Sequence, residues 1–197
     1  MHLPPAAPVP PAPGEPEHPS LGLVNSVVQL PKLDVVELLG SPADATKWLV
    51  ARGLATEDAQ LQDYCSGRLI ALRGQIRELF EVAVQGRVPA ESALAAVNDA
   101  LTRTPTVQLL AWDPAAGFHL ETSHPVTQIV EHALTAIAAD AVKLVTGPEA
   151  PLLAACGATP CNRYLLRTHA RRHWCSKRCG DRVRAARSYA RRDERTA

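Results

Sequence analysis

Nowhere in the 197 residues do apolar side chains run unbroken for the roughly 18 positions that a membrane-crossing helix requires, and no transmembrane segment is expected. The first twenty residues hold eight prolines and no apolar run, so they do not read as a secretory leader. No self-similar period appears, which argues against solenoid and propeller arrays. Cysteine is scarce outside one stretch: four of the five fall between Cys156 and Cys179, and Cys65 stands alone on an apolar helical face, where core filling is the ordinary role. Cysteines grouped so tightly do not make the dispersed disulfide framework of a small secreted chain. A soluble protein of the reducing cytoplasm is expected.

Charge is uneven along the chain. Residues 1–155 carry 9 Lys/Arg against 17 Asp/Glu, a net charge of −8, whereas residues 156–197 carry 12 against 3, a net charge of +9. Such asymmetry suggests a segment that faces a polyanion, attached to a body that does not. With 46% apolar residues the body has ample material for a packed core.

Residues 1–19 are proline-rich and nearly free of large apolar groups, and they read as a disordered arm. Helical spacing begins with Leu21, Val24, Val27 and Val28 and stops at Pro31. Ser41-Pro42 places a capping hydroxyl before a proline at the first helical position and opens a helix running through Trp48 and Leu49 to Gly53. A long helix is predicted over residues 56–85 and a short amphipathic one over 90–102. Residues 107–112 and 118–122 flank a turn-rich Asp113–Gly117 linker and predict a β-hairpin. Helical period returns over 125–146, and Gly147-Pro148 ends it. The fold class expected is mainly α: a helical domain with a small β-hairpin over 20–148, then a small, treble-clef-like C-terminal module over 152–195.

That module follows from the string Cys156-x4-Cys161-x13-Cys175-x3-Cys179. Two short-spaced cysteine pairs can present four soft ligands as a tetrahedron, which is the requirement of a structural Zn²⁺. Gly157 and Pro160 supply turn chemistry in the first pair, and Gly180 follows the second where a basic helix is predicted to begin. Tyr164–Leu166 and His173-Trp174 are predicted as two short strands. His169 and His173 leave a site of three cysteines and one histidine as an alternative. One structural zinc per chain is expected, and loss of any ligand should unfold the module while sparing the helical body. Neither HExxH nor HxE…PCxxC occurs, and no enzymatic activity is expected.

Four thiolates around Zn²⁺ leave a formal charge of −2, which Arg171, Arg172, Lys177 and Arg178 are placed to offset. Beyond Gly180, Val183, Ala186 and Ala190 share one helical face and are expected to pack on the zinc hairpin. Arg184, Arg187, Arg191 and Arg195 share another face, with Arg182 and Arg192 beside it. Arginine's planar fork suits phosphate, so Arg171, Arg172, Lys177, Arg178, Arg182, Arg184, Arg187, Arg191 and Arg192 are the candidate nucleic-acid contacts.

The segments CNRYLL and RRHWCSKRCGDRVRAARSYARR resemble the CGNR zinc-finger family of bacterial proteins proposed to regulate transcription under stress. LGLVNSV, ELLGSPADATKWLVARGL and LIALRGQIRELFEVA are similar to successive helices of the ABATE domain that precedes that finger. The resemblance covers roughly residues 20–195. It implies zinc on Cys156, Cys161, Cys175 and Cys179 and a finger that binds DNA. It also implies a helical domain that senses a signal or forms a homodimer. The family's tetrad reads Cys179-Gly180-Asp181-Arg182 here, with aspartate where asparagine is usual. Asn25, Trp48 and Arg73 are the candidate contacts of a small-molecule effector of unknown identity. Two other functions fit the same features: a zinc-stapled adaptor for an acidic protein partner, and an RNA-binding protein in which Trp174 or Tyr164 stacks on bases.

Overall fold

The computed structural model describes residues 9–31, 34–104, 107–123 and 129–196. Its elements, in chain order, are α1 (Pro19–Val24), β1 (Val27–Gln29), β2 (Val35–Glu37), α2 (Pro42–Val50), α3 (Asp63–Gln85), α4 (Glu91–Thr102), β3 (Val107–Asp113), β4 (Gly117–Ser123), α5 (Ile129–Thr146), β5 (Leu153–Ala155), β6 (Tyr164–Leu166) and α6 (Lys177–Thr196). A single 3-10 turn, Ala150–Leu152, links α5 to β5. Among the described residues there are six helices and three antiparallel hairpins, β1-β2, β3-β4 and β5-β6, which do not merge into a larger sheet. No helix among the described residues is long and apolar enough to cross a membrane.

The longer helices form where the apolar period is sustained. On α3, Leu69, Leu72, Ile76, Leu79, Phe80 and Val82 are buried, a stripe stepping by one to four residues that faces α1, α4 and α5. Gly86 ends this helix at φ 64, a left-handed cap that a side chain resists, with its N–H bonded to the Val82 carbonyl. On α2, Ser41 is the N-cap: its Oγ accepts the Asp44 N–H at 3.2 Å, and Pro42 occupies the first turn. The central core gathers Leu21, Leu23 and Val24 of α1 with the inner faces of α3, α4 and α5.

Three expectations about these elements are corrected. The helix beginning at Leu21 ends at Val24, and Val27–Gln29 turns into a strand paired with Val35–Glu37. Asn25 caps the helix there and Ser26 Oγ donates to the Leu23 carbonyl at 2.7 Å, so side chains compete with the next helical bonds. The long helix starts at Asp63, because residues 56–62 turn back over α2, where the Leu61 N–H donates to Thr46 Oγ1. The strand partner of Tyr164–Leu166 is Leu153–Ala155, and His173-Trp174 belongs to an irregular segment. Residues 125–128 of the expected fifth helix lie outside the described residues, as do residues 1–8 of the arm.

From Val9 onward the arm is folded against the body. Ala12 is buried, and the Pro13 carbonyl accepts the Leu166 N–H at 2.8 Å, extending the edge of β6. Gly14, at φ 84, lets the Leu166 side chain come within 2.6 Å of where a Cβ would stand. His18 and Ser20 both bond to Asp140 on α5, His18 through Nδ1 at 2.9 Å. A proline-rich composition discourages helix and sheet, but these tertiary contacts offset the entropy of ordering.

The C-terminal module is not packed separately. Leu153, Tyr164 and Leu166 sit in the same apolar cluster as α1, α3 and α5. Tyr164 meets Phe80 edge to face at 5.9 Å and lies under the Arg77 guanidinium. Arg77 itself donates to the carbonyls of Val24 and Asn162, at 2.7 and 2.8 Å.

Candidate metal centre and basic face

The four sulfurs of Cys156, Cys161, Cys175 and Cys179 all lie within 4.8 Å of one another, and none of the cysteines is in a disulfide. Cys156 follows β5, its N–H bonded to the Arg163 carbonyl at 2.8 Å, and a turn closed from Cys161 N–H to the Ala158 carbonyl brings the second ligand round. The Gly157 N–H holds the His173 carbonyl at 2.9 Å and so fixes the segment leading to Cys175. Cys179 lies in the first turn of α6, where its N–H donates to Ser176 Oγ. The basic helix therefore starts at Lys177, one turn earlier than expected, and carries the fourth ligand itself. Gly180 is inside the helix: a Cβ there would come within 3.1 Å of the Trp174 ring, so glycine makes room for the indole.

The spacing fits zinc. A tetrahedron with Zn–S bonds of about 2.3 Å has sulfur–sulfur edges of about 3.8 Å. Cys161 to Cys175 spans 3.7 Å and Cys175 to Cys179 spans 3.6 Å. Four thiols this close cannot ionise independently. Hydrogen bonds from Cys161 and Cys175 pull Cys156 down to about 2, while the bond Cys161 gives to Cys156 holds Cys161 up at about 11. The same hydrogen bonds push Cys175 upward. A divalent cation would bind all four as thiolates and remove that competition. His169 and His173 are exposed and stand outside the sulfur cluster, so the described residues favour four cysteines over three with a histidine.

The compensating charge comes from residues other than those expected. Arg163 is 2% exposed; its Nη1 lies 3.9 Å from Cys175 Sγ, and its Nη2 donates to Glu15 at 2.7 Å. Arg182 Nη2 lies 3.9 Å from Cys179 Sγ and 2.5 Å from the Ala158 carbonyl. Arg182, expected on the nucleic-acid face, is thus engaged at the metal centre. Arg171, Lys177 and Arg178 are exposed instead, with Arg172 half-buried.

Past Arg182, α6 leaves the body. Val183 is half-buried against the cysteine cluster, but every residue from Arg184 to Arg192 is exposed, including Ala186 and Ala190. The expected apolar contact stops after one position because the three-residue strands of the hairpin are too short to cover another turn. Arg187, Arg191 and Arg192 therefore stand on a projecting helix. The Arg195 side chain lies outside the described ones. Asp181 takes the family asparagine's place in an exposed pair with Arg184, 2.5 Å away, and Arg184 also lies 5.7 Å over Trp174.

The three expected effector contacts are engaged within the protein. Asn25 donates to Glu15 and to the Tyr164 carbonyl and accepts the Tyr164 N–H, the last at 2.8 Å. Arg73 makes a two-pronged pair with Glu37, both contacts 2.7 Å, and reaches Ser26 Oγ. Trp48 is buried under Arg52, its Nε1 without a partner among the described residues. Asn25 is thus a seam between the helical body and the finger. Glu15 and Arg163 escaped sequence reasoning because 148 positions separate them; the sole signal was an acid in the proline arm and an arginine beside a buried strand.

Fold and centre together define a zinc-binding protein with a helical domain ahead of a basic finger. Residues 17–148 match the family described as "Putative stress-induced transcription regulator" (ABATE), and residues 153–192 match the CGNR zinc finger. The chain belongs to the ABATE family, with the finger following in the expected order. No curated protein matches it.

Proposed function

We propose that the protein is a transcription regulator that grips DNA through the projecting part of α6, with zinc as a structural clamp and no catalytic role. The observation that carries this reading is the uninterrupted exposure of Arg184 to Arg192, which leaves Arg187 and Arg191 free of the body. A helix of this kind has the width to enter a major groove, and its arginines suit phosphates and guanine edges alike. Four cysteines fill the zinc tetrahedron and leave no position for a reactive water, which supports a non-enzymatic role. The helical body would supply regulation, because β5-β6 packs into its core and couples the finger to it.

The RNA alternative loses support from the site, since Tyr164 is buried and Trp174 is flanked by Gly180 and Arg184. The experiment is a salt series of binding to random-sequence duplex by the full-length, zinc-loaded chain. If roughly four to six arginines neutralise phosphates, log K should fall against log salt with a slope of about −4 to −5. Arg187→Ala/Arg191→Ala should weaken binding and flatten the slope. A flat response in the parent chain, with retained binding to an acidic polypeptide, would favour the adaptor.

A further inference from the structure

Between the irregular segment before Cys175 and the start of α6 lies a cavity of about 270 Å³ that shares Arg184 with the projecting arginine face. His169, Arg171, Arg172, Lys177 and Arg184 line it, with Trp174 in its wall, and none of its lining residues is acidic. Asp181, one residue past the lining residue Gly180, is paired with Arg184. Arg172 Nε is buried and donates to no described atom. The Nε atoms of Arg163 and Arg182 at the metal centre are buried in the same way, so the cavity is marked by its converging set of cations. The positive end of the 20-residue helix α6 opens at Lys177, which adds to the same field.

We infer that this cavity is a phosphate-binding pocket, with Arg171, Arg172 and Lys177 as its donors. A phosphate presents several acceptor oxygens and negative charge, matching the excess of cations and the lack of an acid in the lining. The projecting arginines touch anions from a convex surface, whereas this pocket receives one in a concavity. It would therefore fix position along a backbone rather than add general attraction. The inference rests on the proposed function for the source of the phosphate, a nucleic-acid backbone. The phosphate of a mononucleotide offers the same chemistry.

The test follows the arginine Nε–Hε signals of full-length, zinc-loaded protein by NMR, the Arg172 signal being assigned from Arg172→Lys. Inorganic phosphate, a 5′-mononucleotide and an unphosphorylated duplex are titrated separately at constant chloride. The expected result is a saturable shift of the Arg172 signal with inorganic phosphate and with duplex, and a several-fold loss of duplex affinity in Arg171→Ala and Arg172→Lys proteins that keep their zinc. If phosphate and mononucleotide shift the signal but a bound duplex does not, the pocket stands and its ligand is a free phosphorylated molecule. If phosphate shifts it and no duplex binds at all, the pocket stands and the nucleic-acid reading fails. No saturable shift with any of the three overturns the pocket while leaving Arg187 and Arg191 to be judged by their own variants.

Discussion

Glu15 and Arg163 form a buried ion pair, 2.7 Å from Oε2 to Nη2, and the other nitrogen of that guanidinium fork reaches the sulfur of Cys175. The same carboxylate accepts the Ala12 N–H and the Asn25 amide, and Arg52 stands 3.6 Å from its second oxygen. One acid of the N-terminal arm thus connects the helical body, the finger and the metal centre. Removing it strands a buried arginine, and breaking such a pair from one side costs about 3–5 kcal/mol. Glu15→Ala should lower the melting temperature and speed zinc transfer to a chelator. Unchanged transfer kinetics would mean that the arm does not reach the metal energetically.

Arg182 and Arg187 stand five positions apart on one helix but belong to different tasks. Arg182→Ala removes a guanidinium beside Cys179 and should weaken zinc affinity by about 10- to 100-fold, the usual effect of losing a group that supports a metal ligand. Arg187→Ala should leave zinc affinity unchanged and reduce duplex binding. Competition with a chromophoric chelator and fluorescence anisotropy on the same two proteins check the division. Equal zinc affinities would refute it.

Asp181 occupies Arg184 and places a negative charge at the approach to the basic face. Asp181→Asn should therefore raise duplex affinity several-fold and steepen the salt slope by about one, since a cation is released for phosphate contact. Anisotropy titrations at several salt concentrations provide the check. A lower affinity would show that the aspartate is itself useful to the complex.

Glu37 predicts an acid transition. Burial disfavours its charge, but the paired hydrogen bonds from Arg73 and the Leu39 N–H outweigh that effect, and the carboxyl titrates below its ordinary value. A carboxylate depressed in the folded state contributes stability at pH above its unfolded value, about 4.3, and that contribution disappears as pH falls through the folded value. Urea melts of the parent chain should weaken across that interval. Glu37→Gln should be less stable near neutrality and show a shallower decline in acid.

What was legible in the sequence follows from range. The cysteine spacing is local, and a tetrahedron needs only two pairs of turns, so the four ligands could be read directly. Helix α2 was legible from its cap and period, α4 from its period, and the core of α3 from Leu69, Leu72, Ile76, Leu79 and Phe80. Val27 and Val28 fit a helical period equally well, and only the tertiary use of Asn25 by Tyr164 shows why the helix stops before them. Ala186 and Ala190 had a plausible stripe but no surface to meet. Asn25 and Arg73 were noticed for the right reason, polarity in apolar company, yet their partners are Tyr164 and Glu37 rather than a ligand.

The sharing of Leu153, Tyr164 and Leu166 with the helical core revises what ligand loss should do. Cys175→Ser should abolish the stoichiometric zinc and also lower the melting temperature of the helices, where an independent finger would leave them untouched. Metal analysis with circular dichroism melts measures both. The same arrangement sets a limit on dissection. Cutting near residue 150 would not release a self-sufficient finger; it would expose three greasy side chains on one piece and their empty sockets on the other. Exchanging fingers between chains of this family has to move the socket together with the finger.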